Sequence, residues 1–130
     1  GDGSQRKALT KKAEKLGLTD RVRFLGAPQD LPNMLCALDR LVVPTAKPGL
    51  PITLIQAQAV GLPALVADQI DHRLDLGLGL VEFLPADNPN LWQANLRHSR
   101  PEFEPAQLHQ AVSDHGFDVS ASVGQMLELY

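Results

Sequence analysis

The sequence predicts an α/β protein with a doubly wound parallel sheet, and three observations predict it. Short, continuously apolar runs alternate with stretches of helical periodicity, and such runs suit strands buried on both faces, as parallel strands are. The punctuation agrees: Gly17 and Gly61 stand where a left-handed residue closes a helix, and Pro32, Pro51 and Pro89 stand in first turns. Hydrophobic residues at 44% and charged residues at 21% are the composition of a folded globular chain rather than a disordered one.

Taken in order, the spacing predicts a helix over about Gln5 to Leu16, closed by Gly17, then a strand Arg21-Val-Arg-Phe-Leu25 closed by Gly26. A short helix, Leu31 to Leu38, leads to a buried strand, Arg40-Leu-Val-Val-Pro44, which stops at proline. Next comes a helix over about Pro51 to Val60 and the strand Pro63-Ala-Leu-Val-Ala67. A weaker strand is expected at Leu80-Val-Glu-Phe-Leu84, with Asn88-Pro89 as cap and first turn of a helix through about His98. Helices over about Pro105 to His115 and Val119 to Leu129 complete the pattern.

At 130 residues the chain fits one domain with a single core. No run approaches the ~18 apolar residues of a membrane span, and no secretory leader opens the sequence, so the cytoplasm is the expected location. The single cysteine, Cys36, lies in an apolar run and is expected in the core. The net charge of −3 conceals an asymmetry: residues 1–25 hold Arg6, Lys7, Lys11, Lys12, Lys15, Arg21 and Arg23 against Asp2, Glu14 and Asp20. A basic helix of this kind is compatible with peripheral contact at the inner face of the plasma membrane, though lysines at helical spacing more often form a solvated face. Nucleic acid is not an expected partner, because no stacking aromatics accompany the charges.

In the predicted fold, ligands bind beyond the carboxyl ends of the strands. The loops there are Gly26-Ala-Pro-Gln-Asp30, Pro44-Thr-Ala-Lys-Pro-Gly49 and Asp68-Gln-Ile-Asp71, expected to open on one edge. The second is the most informative, since Gly49 and Leu50 precede a helix start, where backbone N–H groups and the positive end of the helix dipole attract a diphosphate. An ordinary buried helix between two strands would show the same periodicity. Elsewhere, Asp68 and Asp71 lack a third convergent acid, His72, His98, His109 and His115 lack metal spacing, and Thr45 lacks the glycine-flanked elbow of a nucleophile. No metal and no cofactor is therefore expected, and Trp92 reads as a core anchor.

Gly1-Asp-Gly with Arg6, Arg21-Val-Arg-Phe-Leu-Gly26, Gly49-Leu-Pro51 and Ala57-Gln-Ala-Val-Gly-Leu-Pro63 together resemble the C-terminal, donor nucleotide-sugar-binding domain of family 4 retaining glycosyltransferases. The resemblance is to the exopolysaccharide and capsule-synthesis type, whose ending Phe117-Asp-Val119 and Leu129-Tyr130 match. It implies a Rossmann-like half of a two-domain GT-B enzyme, with a separate N-terminal acceptor domain and a first strand of this domain preceding Gly1. The implied activity is transfer from a nucleotide-diphosphate sugar, UDP-sugar foremost, to a saccharide or lipid-linked acceptor. The implied contacts are Gly49 and Leu50 through backbone N–H groups to the diphosphate, Pro51 at the helix start, Gly26 beside the base and Gln56 at the ribose, with Lys47 the nearby cation.

The sequence departs from the family motif, Glu followed after seven residues by Glu, at both ends: Pro48 and Gln56 stand in place of the carboxylates. Proline offers the sugar no polar side chain, and a glutamine has one acceptor oxygen plus an NH2 donor where a carboxylate accepts twice. No catalytic residue is assigned within the chain, because the family's Arg and Lys that stabilise the leaving diphosphate align before Gly1. These departures leave two alternatives open: a non-catalytic α/β module kept for structure or partner binding, and a sugar-nucleotide epimerase, which would need acidic and histidine groups that the loops do not offer. The 130 residues alone are expected to bind nucleotide weakly and to transfer nothing.

Overall fold

A computed structural model describes residues 2–45, 51–97, 99 and 101–118, so the expected helix over Val119 to Leu129 lies outside the described residues. Contacts divide the chain into two compact units, Gly1–Leu31 and Pro32–Tyr130.

The first unit carries α1 (Arg6–Lys15), one residue shorter at each end than its periodicity suggests. Lys12 and Lys15 sit in its last turn, where the helix dipole favours positive charge. Arg6 is the organiser of this unit. It pairs with Asp2 and donates from Nη2 to the carbonyl of Phe24 at 2.9 Å, which ties the helix start to the segment 21–25. That segment corrects the strand expected there, for it begins in a turn at Arg21 and belongs to no sheet among the described residues. The physical reason is that a strand is a pairing: an apolar run supplies side chains for a sheet, and ladder hydrogen bonds need a neighbour. Leu25 at 63% exposure shows the same incompleteness.

The second unit is built on a three-stranded sheet, β1 (Leu41–Val43), β2 (Ala64–Ala67) and β3 (Val81–Leu84), all parallel and in sequence order. In register, Leu41 lies opposite Ala64, which lies opposite Val81. All four residues of β2 are completely buried. A strand paired on both edges and covered on both faces must be apolar at every position, which explains the run Ala-Leu-Val-Ala.

The connections follow from the parallel order. After β1 the chain forms α3 (Ile52–Ala59), which returns it to the start of β2, and it also forms α2 (Leu31–Cys36) before β1. The connection from β2 to β3 holds no α-helix, only a single 3-10 turn at His72–Leu74 that the periodicity did not reveal. Right-handed crossovers in a sheet that grows in one direction place both connections on one face. Accordingly Leu54 and Ile55 of α3 pack with Ile70, Leu74 and Leu76 on Ala64 and Val66, and α5 (Pro105–Asp114) joins them through Ala111 and Val112. The other face belongs to α4 (Pro89–Asn95), whose Trp92 packs on Leu65, Ala67 and Leu84. Trp92 is thus the anchor expected, and its indole N–H donates to the carbonyl of Pro85 at 2.8 Å. Asn88 caps α4 by accepting from the Leu91 N–H at 3.2 Å, as its place before Pro89 suggests.

Cys36 is corrected in turn: it is exposed. A six-residue helix directs few positions inward, and in α2 the buried one is its neighbour Leu35. Gly61 meets its expectation, with φ +68 at the close of α3.

Leu65→Ala should cost about 2–5 kcal/mol in urea unfolding, because it removes a fully buried side chain between β2 and Trp92. Leu9→Ala in α1, at a half-exposed position, should change stability by no more than about 0.5 kcal/mol.

Candidate functional site

Because the three strands are parallel, their carboxyl ends share one edge of the sheet, and three loops of the second unit leave from it. β1 ends at Val43 and gives way to Pro44 and Thr45; β2 gives way to Asp68 and Gln69; β3 gives way to Pro85 and Ala86. The start of α3 belongs to the same edge, since that helix receives the chain from β1.

The expected site residues fall into three groups. Lys47, Pro48, Gly49 and Leu50 lie outside the described residues. Pro51 and Gln56 belong to α3. Pro51 stands one place before the first helical residue, with φ −74, where a missing N–H removes nothing from the ladder. Leu54 N–H already donates to Pro51 O at 2.7 Å, so the helix is wound tightly from its first turn. No side chain caps α3 and no acid stands in its first turn, so no carboxylate of the helix itself offsets the positive end of the dipole. Gln56 is half-buried one turn further on.

Gly26 belongs to the first unit and is described there alone. Its φ is +71, and a Cβ at this position would stand 2.8 Å from a carboxylate oxygen of Asp2 and 3.4 Å from the Arg6 guanidinium. The backbone conformation favours glycine here, whereas the exposed Asp2 and Arg6 side-chain ends could shift to make room.

The loop after β2 is ordered by its own side chains. Asp71 accepts from the Arg73 backbone N–H at 3.0 Å and from its Nε and Nη2 at 3.0 and 2.6 Å, capping the 3-10 turn. The Arg73 side-chain hydrogen bonds, then its backbone N–H, push the Asp71 carboxyl down to about 2, and the carboxylate in turn raises the Arg73 guanidinium. His72 stacks on Phe83 of β3, with ring centroids 3.8 Å apart and planes 11° from parallel. Asp71 is thereby committed to its own loop. Among the described residues no group of three or more His, Cys, Asp or Glu converges on a common point.

Two concavities flank the sheet. A trough of about 340 Å³ lies on the α4 side of the carboxyl edge, lined almost wholly by apolar groups, among them Val42, Pro44, Trp92 and Leu96. The larger one, about 570 Å³, lies at the opposite edge, between the end of α3 and the start of α5. Its lip carries Glu102 and Glu104, and the carboxyl end of α3 adds partial negative charge, which the start of α5 on the same lip partly offsets. The carboxyl edge carries acids of its own, since Asp68 and Asp87 are exposed in the loops after β2 and β3.

One residue escaped the sequence reading. Gln58, one turn after Leu54 on the inward stripe of α3, is completely buried, the one polar side chain so placed among the described residues. Its Nε2 donates to Leu54 O at 3.2 Å and Leu74 O at 2.7 Å, and its Oε1 accepts from Leu76 N–H at 2.8 Å. A polar residue at the inward i+4 position was the available signal.

Known proteins resemble this chain as follows. The family model for glycosyl transferases group 1 matches residues 1–90. "Putative glycosyltransferase EpsF" of Bacillus subtilis is 30% identical over the whole chain, which spans 35% of that protein. The Vi polysaccharide biosynthesis protein VipC/TviE of Salmonella typhi is 38% identical over 50% of this chain and 11% of its own length. The UDP-Gal:alpha-D-GlcNAc-diphosphoundecaprenol alpha-1,3-galactosyltransferase of Escherichia coli is 38% identical over 41% of this chain and 14% of its own. The chain thus spans about a third, or less, of the length of these relatives. No solved structure matches. Among the described residues no helix is long and apolar enough to cross a membrane.

In a carbon-detected titration, the Asp71 carboxyl should show a midpoint of about 2, and Arg73→Ala should move it up toward the ordinary value near 4. Since the folded value is the lower, any stability this pair contributes is complete above about pH 4 and fades as pH falls through about 2.

Proposed function

Since the chain belongs to the group 1 glycosyl transferases, we propose that it forms the donor-binding half of a retaining glycosyltransferase, taking a sugar from a nucleotide diphosphate, UDP foremost. The acceptor is a saccharide or a lipid-linked glycan of exopolysaccharide or capsule type, and a separate N-terminal domain holds it. The relatives' names support this choice, for one acts on a diphosphoundecaprenol-linked sugar and another serves polysaccharide biosynthesis.

The observation that carries the reading is the start of α3. It lies at the carboxyl edge of a parallel sheet, has no side-chain cap and has no acid in its first turn, and it directly follows Gly49 and Leu50 in sequence. Backbone N–H groups there would receive the diphosphate and stabilise the charge that grows on it as the glycosidic bond breaks, which is electrostatic catalysis without a metal or cofactor. Gln56 would reach the ribose, Gly26 would border the base, Pro51 would set the helix start, and Lys47 would add a cation near the phosphates. Pro48 stands where the transferred sugar would otherwise meet a carboxylate, so recognition of that sugar would fall to backbone groups and to residues of the missing motif's neighbourhood. The proposed setting is the cytoplasm, and the basic residues of α1 such as Lys11 and Lys15 are compatible with peripheral contact at the inner face of the plasma membrane.

A second reading draws on Pro48 and Gln56 themselves: a module that has kept the fold and lost donor affinity, serving structure or partner binding.

Calorimetry with UDP, GDP, UDP-glucose and GDP-mannose separates the two. The donor reading expects weak binding of at least one nucleotide, no glycosyl transfer by the 130 residues alone, and tighter binding in Gln56→Glu. A charge-assisted bond in place of a neutral one should add about 1–3 kcal/mol, or roughly five- to 150-fold in affinity. Absence of heat with every ligand, in both the wild-type chain and Gln56→Glu, would refute the donor site.

A further inference from the structure

Gln58 is the one completely buried polar side chain among the described residues, and the proposed donor site does not use its chemistry. An inward position one turn after Leu54 could be filled by leucine or methionine, and the surrounding cluster of Leu54, Ile55, Leu74 and Leu76 is apolar. Instead an amide is completely buried there. Its two N–H groups go to the carbonyls of Leu54 and Leu74, at 3.2 and 2.7 Å, and its oxygen takes the N–H of Leu76 at 2.8 Å. The side chain thus bonds one carbonyl and one N–H two residues apart, as a neighbouring strand would, and fixes the β2–β3 connection lengthwise against α3.

Both elements lead to the carboxyl edge. On α3 the inward stripe starts at Leu54, four residues before Gln58, and Gln56 stands two residues before Gln58, while α3 itself begins at the edge with Ile52. The connection leaves β2 at the same edge through Asp68 and reaches Leu74 by the turn that Asp71 caps and His72 fastens to Phe83. The connection contains no α-helix of its own to hold it in place. Nothing else on its path between Leu74 and Leu76 replaces the Gln58 bonds among the hydrogen bonds described, since Leu74 N–H is engaged locally with Asp71 O and Gly77 N–H with Asp75.

We propose that Gln58 is a positioning residue for nucleotide-sugar binding: it locks the 68–76 segment to α3, so that the wall of the carboxyl edge and the helix that receives the diphosphate form one preorganised body. This inference rests on the donor reading above. It differs from a purely stabilising role because it requires ligand affinity, and not only folding, to depend on the three amide hydrogen bonds.

The test compares Gln58→Met, which keeps the bulk and removes the bonds, with Gln58→Glu, which can restore them only when protonated. A neutral carboxyl donates its O–H to Leu74 O and accepts from Leu76 N–H, whereas the carboxylate opposes two carbonyl oxygens, and burial favours the neutral form. UDP-glucose and GDP-mannose are suitable probes because their diphosphates do not titrate in the range used. Gln58→Met, shown to be folded by its cooperative thermal transition, should bind about tenfold or more weakly, with faster hydrogen exchange at the Leu76 amide. Gln58→Glu should bind weakly at about pH 8 and recover toward wild-type affinity at about pH 5.5, while the wild-type chain stays flat. If Gln58→Met does not fold, the pH profile of Gln58→Glu decides alone. Wild-type affinity in folded Gln58→Met, or affinity in Gln58→Glu that does not respond to pH, overturns the proposal. Absence of binding by both the wild-type chain and Gln56→Glu removes the donor reading and this inference together, whereas equal binding by wild type and the Gln58 variants removes this inference only.

Discussion

The second unit depends on one strand having no contact with water. β2 is hydrogen-bonded on both edges and covered on both faces, and its four residues have no exposure. Such a strand cannot satisfy its backbone except through β1 and β3, and it cannot satisfy its side chains except through two separate layers. The division of labour follows: α3, α5 and the β2–β3 connection cover Ala64 and Val66, while α4 brings Trp92 down on Leu65 and Ala67. Arg40 and Glu82 add a pair, 3.5 Å apart, between the segment entering β1 and β3, the strands on either side of β2.

The same parallel order creates the candidate site. Three strands pointing one way deliver three loops to one edge, and the crossover helix after β1 must begin there. An anion site at that edge needs no dedicated side chain, only exposed N–H groups and a sequence that keeps acids away. The acidic lip formed by Glu102 and Glu104 lies at the other edge, and Asp71 in the loop after β2 is paired with Arg73. The carboxyl edge nonetheless keeps the exposed Asp68 and Asp87 in the loops after β2 and β3.

What was legible in the sequence was whatever depends on near neighbours. Strand runs, the glycine stop at Gly61, the Asn88 cap and the burial of Trp92 are written in periodicity and turn chemistry, and each agrees with the structure within a residue or two. What depends on a distant partner was not. The run Arg21 to Leu25 has the side chains of a strand but no ladder, Cys36 has apolar neighbours but faces outward, and the 3-10 turn at His72 is too short to produce a period. Gln58 was missed for the same reason, since its partners Leu74 and Leu76 lie sixteen and eighteen residues away and are backbone groups, which carry no sequence signature. Of the candidate site, the helix start could be placed from spacing, whereas the role of Gln56 and the identity of the ligand came from resemblance, and the family was then shown by comparison.

The buried indole has a further consequence. The chain contains a single tryptophan, and it lies under α4 on the face of the sheet opposite α3 and the β2–β3 connection. Its fluorescence is therefore a built-in optical gauge of one layer: the emission spectrum of Trp92 reports whether α4 remains seated on β2, and it is separated by the thickness of the sheet from the helix start where a nucleotide would bind.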